Sequence, residues 1–235
     1  MPGTRIFLIH ATALSVAPIT DAFKKHWPEA ELANLLDDSL SRDLALTGEL
    51  TEGLKQRFLN LTQYAEAAGA DAILFTCSAF GAAIDACKHV VSIPVLKPNE
   101  AMIDQAVGSA SRIALLATFE PAIASMLEEF KAASMTAGTP LQITAHHVPG
   151  AFQALQEGNI EGHDCEVSNT AKTIEGCEVI CFAQFSMTSA AGRVQSESGQ
   201  PVLTTPDSAV IRLRELLEPL PPAVRTSRRK PVPRV

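Results

Sequence analysis

No apolar run in this 235-residue sequence approaches the roughly 18 to 20 residues that span a bilayer, and the N-terminus shows no charged, apolar, small-residue leader pattern. A membrane partner is therefore not expected, and the expected location is the cytoplasm. The five cysteines, Cys77, Cys87, Cys165, Cys177 and Cys181, form no CxxC pair and no Cys/His cluster of zinc-binding spacing. Neither a structural metal nor a disulfide framework is expected. In a reducing compartment a cysteine begins as a small buried apolar residue, so reactivity has to be argued from position. A basic face is missing too. The net charge is −7, although the stretch from Pro219 carries Arg225, Arg228, Arg229, Lys230 and Arg234 with no acid, which leaves the rest of the chain more acidic still. Nucleic acid is not an expected partner. The basic, proline-containing tail over 219–235 is expected to be a solvated, mobile end.

With 46% hydrophobic and 19% charged residues, the chain can bury a sizeable core. Strand-like and helical patterns alternate: Arg5-Ile-Phe-Leu-Ile, a helix over Ile19 to Trp27, a strand over Ala30 to Leu36, a helix over Leu50 to Ala68, then Asp71-Ala-Ile-Leu-Phe. That order predicts a parallel sheet flanked by helices. The pattern also repeats. Arg5-Ile-Phe-Leu-Ile returns as Arg112-Ile-Ala-Leu-Leu, Gly69-Ala-Asp-Ala-Ile-Leu-Phe as Gly176-Cys-Glu-Val-Ile-Cys-Phe, and Ile93-Pro-Val-Leu as Gln200-Pro-Val-Leu, each 107 residues later. One common offset over three separate segments points to a duplicated α/β unit. The expected fold is two pseudo-symmetric parallel-sheet α/β domains with a cleft between them. The first covers 1–98, completed by a helix at 206–218; the second covers 99–205.

Ligands of open parallel sheets bind beyond the carboxyl ends of the strands. The candidates are thus His10 to Thr12, Thr76 to Phe80, Lys97 to Glu100, Thr118 to Glu120, Ala183 to Thr188 and Thr204 to Asp207. Cys77 follows the apolar strand ending at Phe75 and precedes a helical segment, where unpaired N–H groups and the helix dipole favour thiolate. The same spacing also suits an inert small residue packed at a turn. Hydroxyls at Thr76, Ser78, Thr118, Ser186, Thr188, Thr204 and Thr205 fall at strand ends; converging, they would hold a carboxylate, while singly each would serve as a helix cap. Asn99 is expected to cap a helix beginning at Glu100, and Lys97 is either an anion contact or a surface lysine. His146 and His147 are adjacent, so a strand would point them to opposite faces and leave no two-histidine metal site.

Several of these segments together carry a resemblance. Thr76-Cys77-Ser78 after an apolar strand, Ile93-Pro-Val-Leu followed by Glu100-Ala101, Arg112-Ile-Ala-Leu-Leu-Ala-Thr118, and Val148-Pro-Gly-Ala-Phe-Gln-Ala-Leu-Gln-Glu-Gly158 resemble the aspartate/glutamate/hydantoin racemase superfamily, which also contains maleate cis-trans isomerase and arylmalonate decarboxylase. The likeness runs from about Arg5 to Leu217. It implies chemistry without a cofactor, and in two-base members one cysteine from each half, acting on opposite faces of a substrate carbon. Cys77 matches the first. The second is absent: the repeat offset carries Cys77 onto Gln184, and Cys181 lies three residues upstream, inside the predicted strand. An amide cannot shuttle a proton but can hydrogen-bond a carbonyl or enolate oxygen.

The expected function is therefore a cofactor-independent racemase, epimerase or isomerase acting on a small carboxylate- or hydantoin-like anion. Cys77 is the expected catalytic group, with His10 as its acid/base partner or as an anion contact; a satisfied structural histidine is the other reading of His10. Thr76, Ser78, Thr118, Gln184, Phe185 and Ser186 are the expected substrate contacts. The alternatives are a lyase resembling arylmalonate decarboxylase, and a hydrolase or non-catalytic metabolite-binding protein on the same scaffold. A homo-oligomer is compatible with all of these.

Overall fold

The computed structural model describes residues 3–218, so the expected mobile tail over 219–235 lies outside the described residues. The first half contains β1 (Arg5–His10), α1 (Val16–His26), β2 (Glu31–Leu36), α2 (Ser39–Thr47), α3 (Glu52–Ala67), β3 (Ala72–Phe75), α4 (Gly81–Cys87) and β4 (Val95–Leu96). Then follow α5 (Glu100–Ser109), β5 (Arg112–Ala117), α6 (Pro121–Ala137), β6 (Gln142–His147), α7 (Ala151–Gln156), α8 (Ile160–Lys172), β7 (Val179–Phe182), α9 (Ala191–Ser198), β8 (Val202–Thr204) and α10 (Thr205–Leu217). The strands form two parallel four-stranded sheets, ordered β2-β1-β3-β4 and β6-β5-β7-β8. No helix among the described residues is long and apolar enough to cross a membrane.

The repeat holds at the level of register. Ile6 pairs with Ala72 in the first sheet and Ile113 with Val179 in the second; Ile73 pairs with Val95, and Ile180 with Val202. Each pair is the other shifted by 107 residues. The turns entering β3 and β7 match as well, with Gly69 and Gly176 at φ 82° and 75°, a region in which a Cβ is strained. Arg5 and Arg112 bind these turns from below, through the Ala68 and Gly176 carbonyls.

Side chains alternate across each strand, so both faces of a parallel sheet need cover. Phe7, Ile9, Ile73 and Phe75 pack under α2 to α4, while Ile6, Leu8, Ala72 and Leu74 pack on the opposite face against α1 and α10. In the second sheet Ile113, Leu115 and Cys181 meet α5 and α6, and Ala114, Leu116, Ile180 and Phe182 meet α7 to α9. The helix following each sheet's last strand thus crosses to the other half. Met102, Ile103 and Ala106 of α5 enter the second core, and Ala209, Val210 and Leu213 of α10 enter the first. The two crossing helices touch through Ser208 Oγ, which donates to Gln105 Oε1 at 2.9 Å. This exchange fixes the halves against each other and brings the carboxyl ends of both sheets to one cleft.

A candidate active site between the two halves

Cys77 is placed by two aromatic anchors. Phe75 ends β3, fully buried, and stacks on Phe58 at 5.3 Å; Phe80, also buried, closes the short turn after Cys77 and meets the same ring at 4.6 Å. Burying a phenylalanine is worth about 1.5–3 kcal/mol, so these anchors hold the intervening Thr76-Cys77-Ser78 at the strand end. The second half does the same with Phe182 and Met187, both buried, around Gln184. Cys77 and Gln184 share an extended backbone, with φ/ψ of −125°/119° and −137°/144°.

Both side chains line one cavity of ≈180 Å³, as do Thr76, Ser78, Phe185 and Ser186. The structure thus brings six of the eight expected site residues to a single hollow, and the other two stand one layer behind it. Thr118, 2% exposed, donates its backbone N–H to Gln184 Oε1 at 2.9 Å. With its oxygen so held, Gln184 keeps its Nε2 protons as the free donors of that side chain.

His10 departs furthest from expectation. It is fully buried and does not line the cavity. Its Nε2 meets Asn34 Oδ1 at 2.9 Å, so that nitrogen carries the proton and Nδ1 presents a lone pair. Nδ1 lies 2.8 Å from Thr76 Oγ1 and 3.0 Å from Ser15 Oγ, and the two hydroxyls lie 2.8 Å from each other. Burial holds the His10 pKa below its ordinary value, against the Asn34 hydrogen bond. A neutral imidazole, with both nitrogens engaged, orients Thr76 and Ser15, which themselves line the cavity.

The thiol is the second departure. Burial pushes the Cys77 pKa up, outweighing the Ala79 N–H and the Ser41 hydroxyl that favour thiolate. The turn after Cys77 is a 3-10 turn over Ser78–Phe80 ahead of a seven-residue helix, so little dipole is available. At neutral pH Cys77 is a thiol. Ser41 Oγ also donates to the Ala11 carbonyl at 2.8 Å. Its single proton serves that carbonyl while Cys77 is protonated and can turn to sulfur when it is not.

Other candidates lie elsewhere. Asn99 lines the cavity but makes no side-chain cap for α5; its Nδ2 instead donates to Glu129 Oε1 at 3.4 Å, on the partly buried face of α6. Burial raises the Glu129 pKa against that hydrogen bond. Lys97 is paired with Asp85 at 3.1 Å and is not an anion contact at the cavity. Cys181 is fully buried in β7, with its pKa pushed up to about 12 by burial. His146 and His147 lie on the edge strand β6, outside the cavity. Among the described residues no three His, Cys, Asp or Glu side chains converge as metal ligands. Thr12 lies in the expected His10 to Thr12 strand end, whereas sequence reasoning missed Leu14, Ser15, Phe152 and Leu155 as lining residues. Phe152 and Leu155 sit within the Val148 to Gly158 stretch whose pattern signals them; Ser15 carries no such signal.

Comparison with known proteins agrees with this geometry. The Asp/Glu/hydantoin racemase family model matches residues 10–213. No curated protein matches at a significant level. Among solved structures, an aspartate racemase homologue from Pyrococcus horikoshii superposes with TM-score 0.70 at 17% identity, covering 91% of this chain and 99% of its own. Allantoin racemase from Klebsiella pneumoniae gives 0.67 at 18%, covering 91% and 87%. A glutamate racemase from Bacillus anthracis gives 0.67 at 15%, covering 92% and 82%. At these identities the likeness is one of fold.

Proposed function

We propose a function from one premise: the chain belongs to the Asp/Glu/hydantoin racemase family. On that premise it is a cofactor-independent isomerase that moves a proton at a carbon next to a carboxylate or carbonyl, using Cys77. The observation that carries this reading is that Cys77 is the one ionisable side chain among the described residues lining the cavity between the sheet ends. Gln184 Nε2 donates to the carbonyl oxygen as it gains enolate character. The hydroxyls of Ser78 and Ser186, with that of Thr12 beside them, hold the anionic head, since the Thr76 and Ser15 protons are used within their own cluster. His10 acts as a positioning residue: its Nδ1 lone pair accepts one proton from the linked Thr76 and Ser15 hydroxyls and so anchors Thr76 beside Cys77.

The proton balance makes this chemistry one-sided. The small fraction of Cys77 that has released its proton to solvent takes the substrate proton and returns to thiol; the planar intermediate then takes a proton back from the same sulfur or from solvent on its other face. The mirror position holds an amide, which supplies no proton at ordinary pKa. A second reading, a decarboxylating lyase, is favoured by the protonated resting state of Cys77, since loss of carbon dioxide leaves an enolate that a thiol can protonate directly.

Deuterium exchange separates the readings. Incorporation at the substrate α carbon in D2O without loss of mass supports the isomerase. Release of carbon dioxide supports the lyase. If neither occurs with any carboxylate or hydantoin, the protein is a binder or a hydrolase and the proton-transfer reading fails.

A further inference from the structure

The cavity holding Cys77 is too small to be the whole site. Small-molecule pockets run to roughly 300–1,000 Å³, and this one measures ≈180 Å³. Immediately beside it lies a second hollow of ≈700 Å³, where α1, the turn after β1, the 3-10 turn after Gln184 and the start of α8 come together. Leu14, Leu155, Phe185 and Ser186 line both, so the two spaces adjoin along these side chains. The larger hollow is faced by Ala13, Ala17, Ala22 and Ile160, and among the described residues its apolar surface is uncovered, with Leu14 66% and Ile160 55% exposed. Exposed apolar surface of this kind, beside a cavity that holds a thiol, marks a place for an apolar ligand part.

Charge points the same way. The Thr188 and Ser189 hydroxyls that line the larger hollow are already given to the Phe185 carbonyl and Asp164 Oδ1, so a distal carboxylate there would need a cation. Among the described residues lining either hollow, Lys25 is the one cation, and its Nζ is held by Asp207 at 3.1 Å, with Asp21 on the same rim. A second carboxylate would meet two acids and one engaged lysine.

We infer that the substrate handled at Cys77 carries a single anionic head and a bulky apolar substituent, the head in the Cys77 cavity and the substituent running past Leu14 and Phe185 into the larger hollow. This inference rests on the proposed role of Cys77 in marking which end is the reacting one. It assigns Phe185 and Leu155 to substituent selection, and it sets the chain apart from enzymes that must bind two carboxylates.

Protection of Cys77 from iodoacetamide, located by peptide mass spectrometry, tests this without turnover. The probes are 3-phenylpropionate, propionate and succinate. The expected half-protecting concentration of 3-phenylpropionate is at least tenfold below that of succinate. Two variants on different helices fill the hollow: Gly192→Phe, where an added Cβ meets nothing within 4 Å, and Ala17→Phe at an exposed position of α1. Each is expected to raise the 3-phenylpropionate concentration at least tenfold and leave that of propionate unchanged. Succinate protecting as well as 3-phenylpropionate, no protection by either, or wild-type behaviour of both variants would overturn the inference. The role of Cys77 is judged separately by α-deuterium exchange in Cys77→Ala: retained exchange there removes the proposed chemistry whatever the protection pattern.

Discussion

The first half closes the cavity with a thiol backed by a buried polar cluster; the second closes it with an amide backed by one residue, Thr118, through its backbone N–H and hydroxyl. Behind Cys77 stand Thr76, Ser15 and His10, tied together at 2.8 to 3.0 Å. At the repeat positions of Thr76 and His10 the second half has Ala183 and Ala117, both buried and without a polar side chain. The shared scaffold is otherwise faithful, with Phe75 answered by Phe182 and the β1–β3 register by that of β5–β7. Duplication has thus preserved the packing that positions a strand-end residue and let the chemistry of that residue diverge. The buried polar cluster is thus concentrated on one side of the pseudo-twofold, in keeping with the one-sided proton transfer proposed above.

The sharpest way to break this comparison is to remove the thiol. Cys77→Ala is expected to lower α-proton exchange by about 10³-fold or more, within the range for loss of a general acid or base, with an unchanged circular dichroism melt. Activity within tenfold of wild type would place the chemistry elsewhere. Alkylation gives a second contrast. Cys77, half-buried, should label with iodoacetamide at least about a hundredfold faster than Cys181 in the native protein, because Cys181 is fully buried and its pKa is pushed up to about 12. The Cys77 rate should keep rising with pH through 9, since burial lifts its thiol above that ordinary value. A plateau near pH 7 would show a stabilised thiolate instead.

His10→Ala is expected to cost roughly 2–4 kcal/mol of stability, from a buried void and unpartnered hydroxyls, measurable by urea denaturation. A merely structural histidine would change stability alone. A positioning residue also raises KM, and His10→Asn, which keeps a polar side chain at this buried site, should restore part of it. The histidine carries a pH signature too. Its folded pKa lies below the ordinary 6.5, so below that pH the unfolded chain binds a proton that the folded chain refuses. Stability is therefore full above pH 6.5 and falls on acidification by about 1.4 kcal/mol per unit of depression, a loss His10→Ala should lack. The smallest effect is expected at Gln184. Gln184→Ala leaves the Thr118 N–H without its acceptor, at about 1–3 kcal/mol, and should slow exchange about tenfold; a loss as deep as that of Cys77→Ala would mean the two halves share the chemistry after all.

The repeat at offset 107, the alternation of strands and helices, and the pairing of Cys77 with Gln184 were legible because strand burial imposes a linear pattern: Ile73 and Ile180 must be apolar wherever the sheet is covered on both faces. The partners behind the cavity were not. Whether His10 faced the cleft or the interior depended on Asn34, on another strand, and on Ser15, on a turn with no distinguishing motif. Asn99 has the residue type of a helix cap, yet Glu129, thirty residues on, captures its amide.

Residue order alone therefore determined the duplicated α/β plan, the cavity's position at the strand ends and the identity of the two residues that meet there, since all three follow from local periodicity and a common offset. Only the tertiary structure decided the protonation of Cys77, the burial of His10 and the apolar hollow beside them. Desolvation, hydrogen-bond partnership and empty volume are set by which distant segments pack together, and no spacing along the chain encodes them.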